Sequence, residues 1–201
     1  IMATWTRENR GWAIGLLVGA LTLGSASPHL INAIGGISDW RIVLYAAAGL
    51  AALGGLLAIL FVREGPFRAA SPKFDWRYAR RIWREPAVAL ANLGYFGHMW
   101  ELYAMWTWVP IFLGASFEMS GIQEKWASLT GFAVIAIGGA GCLAAGKLAD
   151  RYGRTAVTIA SLTLSGACSL LVGFLYEGKI FWLILVCLVW GFSVVADSAQ
   201  F

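Results

Sequence analysis

Charged residues make up only 13% of this 201-residue chain, against roughly 25% in an ordinary soluble domain. Hydrophobic residues make up 59%, and mean hydropathy is +0.70. A soluble fold of this length cannot bury so much apolar surface. The alternating ~10-residue segments of a membrane β-barrel are also missing. Cysteine is scarce: Cys142, Cys168 and Cys187 all lie inside apolar runs. They read as small buried hydrophobes and not as a disulfide framework or a metal site. No metal-ligand spacing, phosphate loop or nucleophile triad is present, and no bound cofactor is expected. Gly138-Gly139-Ala140-Gly141 is glycine-rich but lies inside an apolar run, without the strand a nucleotide loop requires. A cleavable signal peptide is not expected, because the first apolar run is too long and lacks a cleavage site.

What remains is a set of long apolar runs. Helices that satisfy their own backbone are the structures that such runs form in lipid, and about 20 residues cross the ~30 Å hydrocarbon core. Six spans are expected, over residues 12–36, 42–62, 87–113, 126–145, 156–176 and from 181 to beyond 197. Pro110 is expected to end or bend the third. The net charge of +4 does not point to nucleic acid, because the basic residues flank the apolar runs. One side of the membrane receives Arg7, Arg10, Arg63, Arg68, Lys73, Arg77, Arg80, Arg81, Arg84, Lys147, Arg151 and Arg154; the other receives Arg41, Lys125 and Lys179. That bias makes loops 1–11, 63–86 and 146–155 cytoplasmic, in a plasma (inner) membrane protein. The longest connection, residues 64–85, carries Pro66, Pro72 and the run from Arg77 to Arg84. It reads as a solvated linker helix with orienting charge; the alternative lays Trp76, Ile82 and Trp83 on lipid. The chain starts in a polar stretch and stops inside an apolar one, so it is expected to be part of a longer protein.

The sharpest motif is Gly146-Lys147-Leu148-Ala149-Asp150-Arg151-Tyr152-Gly153-Arg154. Between two apolar runs it reads as a short, charged, tight turn. It resembles the G-x-L-A-D-R-x-G-R motif of major facilitator superfamily transporters and matches at every specified position. Thr155 departs, since that family usually carries a further Arg or Lys there. The resemblance implies an all-α polytopic membrane protein, with six transmembrane helices of a twelve-helix bundle. The motif follows the second helix of each six-helix half, and a long cytoplasmic loop joins the halves. The chain is thus similar to helices 5 to 10. Residues 1–62 would end the N-terminal half, 63–86 would be the central loop, and 87–201 would begin the C-terminal half. In the family, the motif's Asp and final Arg join an acid on the fourth helix of the same half to hold the cytoplasmic side shut. Asp197 lies 16 residues beyond Phe181, or ~24 Å, and is the expected acid, paired with Arg154 or Arg151. Gly146, Asp150, Arg151, Gly153, Arg154 and Asp197 form this candidate gate. The plainer alternative leaves the arginines as orienting charges and Asp197 as a hydrated helix end.

The third span carries His98 and Glu101. A charge at mid-span costs about 2.5–3.5 kcal/mol on insertion scales, so it usually faces a bundle interior or an aqueous path. His98 and Glu101 share a helix face, with Tyr95 and Met105 nearby. Together they form the candidate substrate and proton site, where an imidazole and a carboxyl can exchange a proton as the cavity changes exposure. In the family, the first and fourth helices of each half line the cavity, which agrees with this polar content. The alternatives are a static hydrogen bond from Glu101 to a neighbouring helix, or an outer aromatic belt.

The second, fourth and fifth spans contain no Asp, Glu, Lys, Arg or His and read as scaffold. In the first, Gly11, Gly15 and Gly19 recur every four residues and read as a packing seam. His29 and Asn32 fall in its outer half and are candidates for an outer vestibule, with a structural polar contact the alternative for His29. Family antiporters carry G-P-x-x-G-G here; Ser27-Pro28-His29-Leu30-Ile31-Asn32 matches poorly and gives no support for antiport. The expected function is secondary transport of a small molecule or ion, with protons as the candidate coupling ion and the lipid bilayer as solvent. A non-transporting membrane receptor or assembly subunit is the alternative. A membrane enzyme comes third, without a catalytic constellation. Substrate identity and oligomeric state are not legible.

Overall fold

The computed structural model describes residues 5, 10–35, 40–67, 76, 83–198 and 200. Among them run six α-helices and no strand: α1 Arg10–Gly35, α2 Trp40–Phe61, α3 Pro86–Met119, α4 Glu124–Tyr152, α5 Arg154–Val172 and α6 Ile180–Ala196. A 3-10 turn, Gly173–Leu175, extends α5. Arg7, Gly36, Arg68, Lys73, Arg77, Arg80, Arg81 and Ile82 of the sequence reading lie outside the described residues, as does the side chain of Arg10. Gly11–Ile34, Trp40–Phe61, Glu124–Tyr152 and Arg154–Leu175 are long and apolar enough to cross a membrane, and Ile180–Ala196 is apolar but shorter.

α3 is the longest element, with 34 residues, or about 51 Å at 1.5 Å per residue. His98, Leu102, Met105, Val109, Leu113 and Phe117 are buried along one face, at the three-to-four-residue spacing of a helical stripe. The opposite face leaves Phe96, Trp100, Tyr103 and Trp108 exposed. Pro110 does not end this helix; it sits inside it. Its missing N–H removes one ladder bond. Gly131 of α4 makes room beside it, since a Cβ there would lie 3.3 Å from Cβ of Pro110. α3 ends instead where Gly121 adopts φ 71°. The Ile122 N–H donates to the Phe117 carbonyl (2.8 Å) and the Gly121 N–H to that of Glu118 (3.0 Å), the paired bonds of a Schellman cap.

α4 is the central helix, packing on α1 along one side and on α6 and α3 along others. Both main contacts bring backbones together at glycine. A Cβ at Gly138 would strike Val195, one at Gly141 the Phe192 carbonyl, and one at Gly191 the Val134 carbonyl. Lipid tails are as apolar as leucine, so membrane helices gain from such close approach and not from burying apolar surface. Leu102, Met105, Val109, Leu113, Val134, Leu183 and Val194 fill the core beside these contacts. Gly191→Val therefore overpacks the α4–α6 contact. A loss of about 1–3 kcal/mol is expected, read as a lowered Tm of the detergent-purified protein. α2 buries none of its residues and touches little but α1, as an all-round apolar helix facing lipid would.

The motif is not a nine-residue turn. Gly146 to Tyr152 are the last two turns of α4, and Gly153 alone separates it from α5. Gly153 adopts φ 88° and ψ 148°, close to the region only glycine visits at low cost. Its N–H still closes α4 by donating to the Ala149 carbonyl at 3.0 Å. One residue suffices as the break because no side chain has to be accommodated there. Gly153→Ala is expected to cost about 1–3 kcal/mol although it removes no contact. Thermal melts should show that loss, with no loss or a slight gain for alanine at half-buried Gly114 inside α3, where an added Cβ meets nothing and helix propensity favours alanine.

Candidate functional site

His98 and Glu101 of α3 meet partners from α5, α6 and the residues after α6. His98 is 1% exposed. Its Nε2 lies 2.8 Å from Oγ of Ser198, and its Nδ1 lies 3.0 Å from Oδ1 of Asp197. That second approach is close enough for an ion pair but is not aligned as a hydrogen bond. Neither oxygen of Asp197 accepts a hydrogen bond, although the residue is 1% exposed. Glu101 differs. The Ser165 hydroxyl of α5 donates to its Oε2 (3.2 Å), and the Trp190 Nε1–H of α6 donates to its Oε1 (3.1 Å). One carboxylate is thus held by two donors and the other by none. The two clusters share α3, where Glu101 lies about one turn from His98.

Tyr95 is exposed, with its ring centroid 6.3 Å from that of His98. Met105 is buried in the core among Leu102, Val109 and Val134. α5 was read as scaffold, yet its Ser165 joins the Glu101 cluster. A lone serine in an apolar run carries little signal, and neither Ser165 nor Trp190 nor Ser198 was singled out from the sequence. The three cysteines are free and buried, as expected. The Cys142 thiol donates to the Val195 carbonyl at 3.0 Å.

The motif end is organised around α1. Gly11 faces Gly146, Gly15 faces Cys142, and Gly19 faces Gly139, so the packing seam read from the α1 glycines exists and its partner is α4. A Cβ at Gly146 would lie 2.7 Å from the Gly11 carbonyl oxygen, and one at Gly11 would lie 2.8 Å from Oδ1 of Asp150. Asp150 therefore lies at the first turn of α1, where a helix N-terminus attracts a carboxylate. At the opposite end of the seam, the Asn32 Nδ2–H donates to Oγ of Ser128 at 3.2 Å. Asn32 thus bridges α1 to α4, while His29 is half-buried beside it.

Asp197 does not meet Arg151 or Arg154. Arg151 and Arg154 are exposed, and the Arg151 guanidinium lies 5.2 Å over the Tyr152 ring. The reason is register. Val195 lies against Gly138 and Cys142, so Asp197 stands level with the middle of α4. The two helical turns of the motif carry Asp150 and Arg151 about 12 Å further along that helix.

A family model described as Major Facilitator Superfamily matches residues 1–196. The chain belongs to the major facilitator superfamily. No curated protein and no solved structure matches it. Membership makes it an integral membrane transport protein, in a family that handles small solutes and whose members are in general not enzymes. The superfamily motif at Gly146–Arg154 and the α1–α4 seam thus belong to a transporter. Its buried acids lie where a membrane chain tolerates them, facing the bundle interior.

Proposed function

We propose that the protein is a secondary active transporter that moves a small solute by alternating access, coupled to protons through the His98–Glu101 region. In this reading α1 and α2 end one half of the transporter, residues 63–86 join the halves, and α3 to α6 begin the other. The motif end faces the cytoplasm and the membrane is the plasma membrane.

The observation that carries the proposal is the α1–α4 seam. Three glycines of α1 meet α4 backbone to backbone, with Val18 packed against the core beside them. Each end is latched by one weak polar contact. Asp150 at the α1 first turn is of the kind worth about 0.3–1 kcal/mol. The Asn32–Ser128 bond is of the kind worth about 0.5–1.5 kcal/mol. Latches of similar, small strength let the seam part at either end without a large bias, which a two-state rocking mechanism requires. Gly146, Asp150 and Gly153 serve as the cytoplasmic gate, with Arg151 and Arg154 at its surface. His98, Glu101 and Tyr95 serve the solute and proton path, with Met105 packing behind them. Asp197, given to the gate by the sequence, belongs in this reading with His98.

The test is uptake by the full-length protein in proteoliposomes, across a panel of labelled organic solutes, with and without an inward proton gradient. The proposal expects at least one solute to accumulate only with the gradient and the lumen to acidify as it does. Equilibration unaffected by the gradient would remove the coupling. Specific binding with no flux at all would favour the receptor reading.

A further inference from the structure

We infer that the coupling proton is bound at the His98–Asp197 contact, between α3 and the end of α6, and that Glu101 is a fixed charge and not the carrier. The inference rests on the proton-coupled reading above and assigns the site within it.

Half-buried Glu101 and buried Asp197 are satisfied differently. Glu101 accepts one hydrogen bond on each oxygen, from Ser165 and from Trp190. An ionised carboxylate is an acceptor on both oxygens, and donors held to it form the stronger, charge-assisted bonds. Adding a proton to Glu101 gives up the charge that strengthens both bonds. Asp197 is buried, yet neither of its oxygens accepts a hydrogen bond. A bare carboxylate in that position is costly. What faces it is Nδ1 of His98, 3.0 Å from Oδ1.

The surroundings offer no other compensation. Among the described residues no Lys or Arg reaches Asp197. From α3, Tyr95 lies beside His98 and Glu101 lies a turn away. From α4, the Cys142 thiol is within electrostatic reach of Asp197. From α5, Cys168 is within reach of Glu101. α1 brings Gly15 to Cys142. After α6 come Ser198 and the buried, neutral Gln200. None of these neighbours is a permanent cation.

One proton therefore decides the charge of the pair. With it, the pair is imidazolium beside carboxylate, or imidazole beside carboxylic acid, and its net charge is zero. Without it, the pair is imidazole and carboxylate, at −1, in a dry site. Ser198 suits both states, because its hydroxyl donates to Nε2 of a neutral ring or accepts from the N–H of a charged one. Loss of the proton favours whichever conformation admits water to Asp197, and its return favours the closed one. The proton enters from water on one side and leaves to water on the other, so no further reactant is needed. Because the pair joins α3 to the end of α6, its charge acts on the helices that must move for the site to change sides.

Infrared difference spectroscopy of the purified full-length protein, taken between acidic and alkaline buffer, reads this site without any solute. The wild type should lose an imidazole ring signal and a carboxyl-region signal together. Asp197→Asn should eliminate the carboxyl change and displace the imidazole change. Ser198→Ala should shift the imidazole band without removing the transition. Asp197→Glu, which restores an acid, should restore both signals and guards against misfolding of the Asn variant. Glu101→Gln should leave the joint transition in place. Loss of the joint signal in Glu101→Gln, with its survival in Asp197→Asn, would overturn the assignment. So would a wild type that takes up protons on binding solute but shows no imidazole signal. A pair that titrates as described in a protein that moves no solute would sink the transport reading alone.

Discussion

Glu101→Ala should destabilise the bundle by about 1–3 kcal/mol and abolish uptake. The Trp190 indole N–H loses its acceptor, at about 1–3 kcal/mol, while the Ser165 hydroxyl keeps the Leu162 carbonyl at 3.2 Å. The two donors to Glu101, Ser165 and Trp190, belong to two different helices. The carboxylate is thus a three-helix junction joining α3, α5 and α6, and alanine removes it without offering a substitute. Glu101→Gln should fall between alanine and wild type, because its amide oxygen keeps one donor while its NH₂ opposes the other. Tm values of the purified proteins and uptake measured on the same preparations check the order. An unchanged Tm in the alanine variant would mean that these two hydrogen bonds are not structural.

The second large effect is at the other end of the molecule. Gly146→Leu should drive the α1–α4 seam open at the motif end and leave the transporter unable to close it. A Cβ at position 146 would lie 2.7 Å from the Gly11 carbonyl oxygen and 3.0 Å from its carbonyl carbon. These are backbone atoms and cannot rotate away. Overpacking of this kind costs about 1–3 kcal/mol, charged only to the conformation in which the helices touch. At about 1.36 kcal/mol per tenfold, the population of the closed seam should fall by roughly 5- to 150-fold. Gly146→Ala should give a smaller shift in the same direction. A thiol-reactive probe at exposed Lys147→Cys, with labelling rate as the readout, would report it. Equal labelling in the Leu variant and the wild type would show that the contact does not gate that end.

Much of this arrangement is legible in the sequence, and the illegible parts share a cause. The six apolar runs become α1 to α6 because hydrophobic length is a local property. Gly11, Gly15 and Gly19 read as a seam because small residues every four positions line one helix face, but nothing local names α4 as their partner. Glu101 stands out because a charge in the middle of an apolar run is costly wherever the helix goes. Its partners Ser165 and Trp190 do not stand out, being ordinary residues brought to it by packing. The charged motif reads as a turn because charge usually marks loops, whereas Lys147, Asp150 and Arg151 ride on a helix that runs on past the end of α6. That extra length moved Asp197 away from the arginines and onto His98. Register between helices, set by where Val195 meets Gly138 and Cys142, is a property of the packed bundle and of no single segment.

Spin labels at Trp12→Cys in α1 and Lys147→Cys in α4, both exposed positions flanking the Gly11–Gly146 contact, would measure the seam in the full-length protein in liposomes. The account predicts two distance populations, one matching the closed contact and one longer, whose ratio changes when the pH is moved. A single distance that is the same at every pH would contradict it.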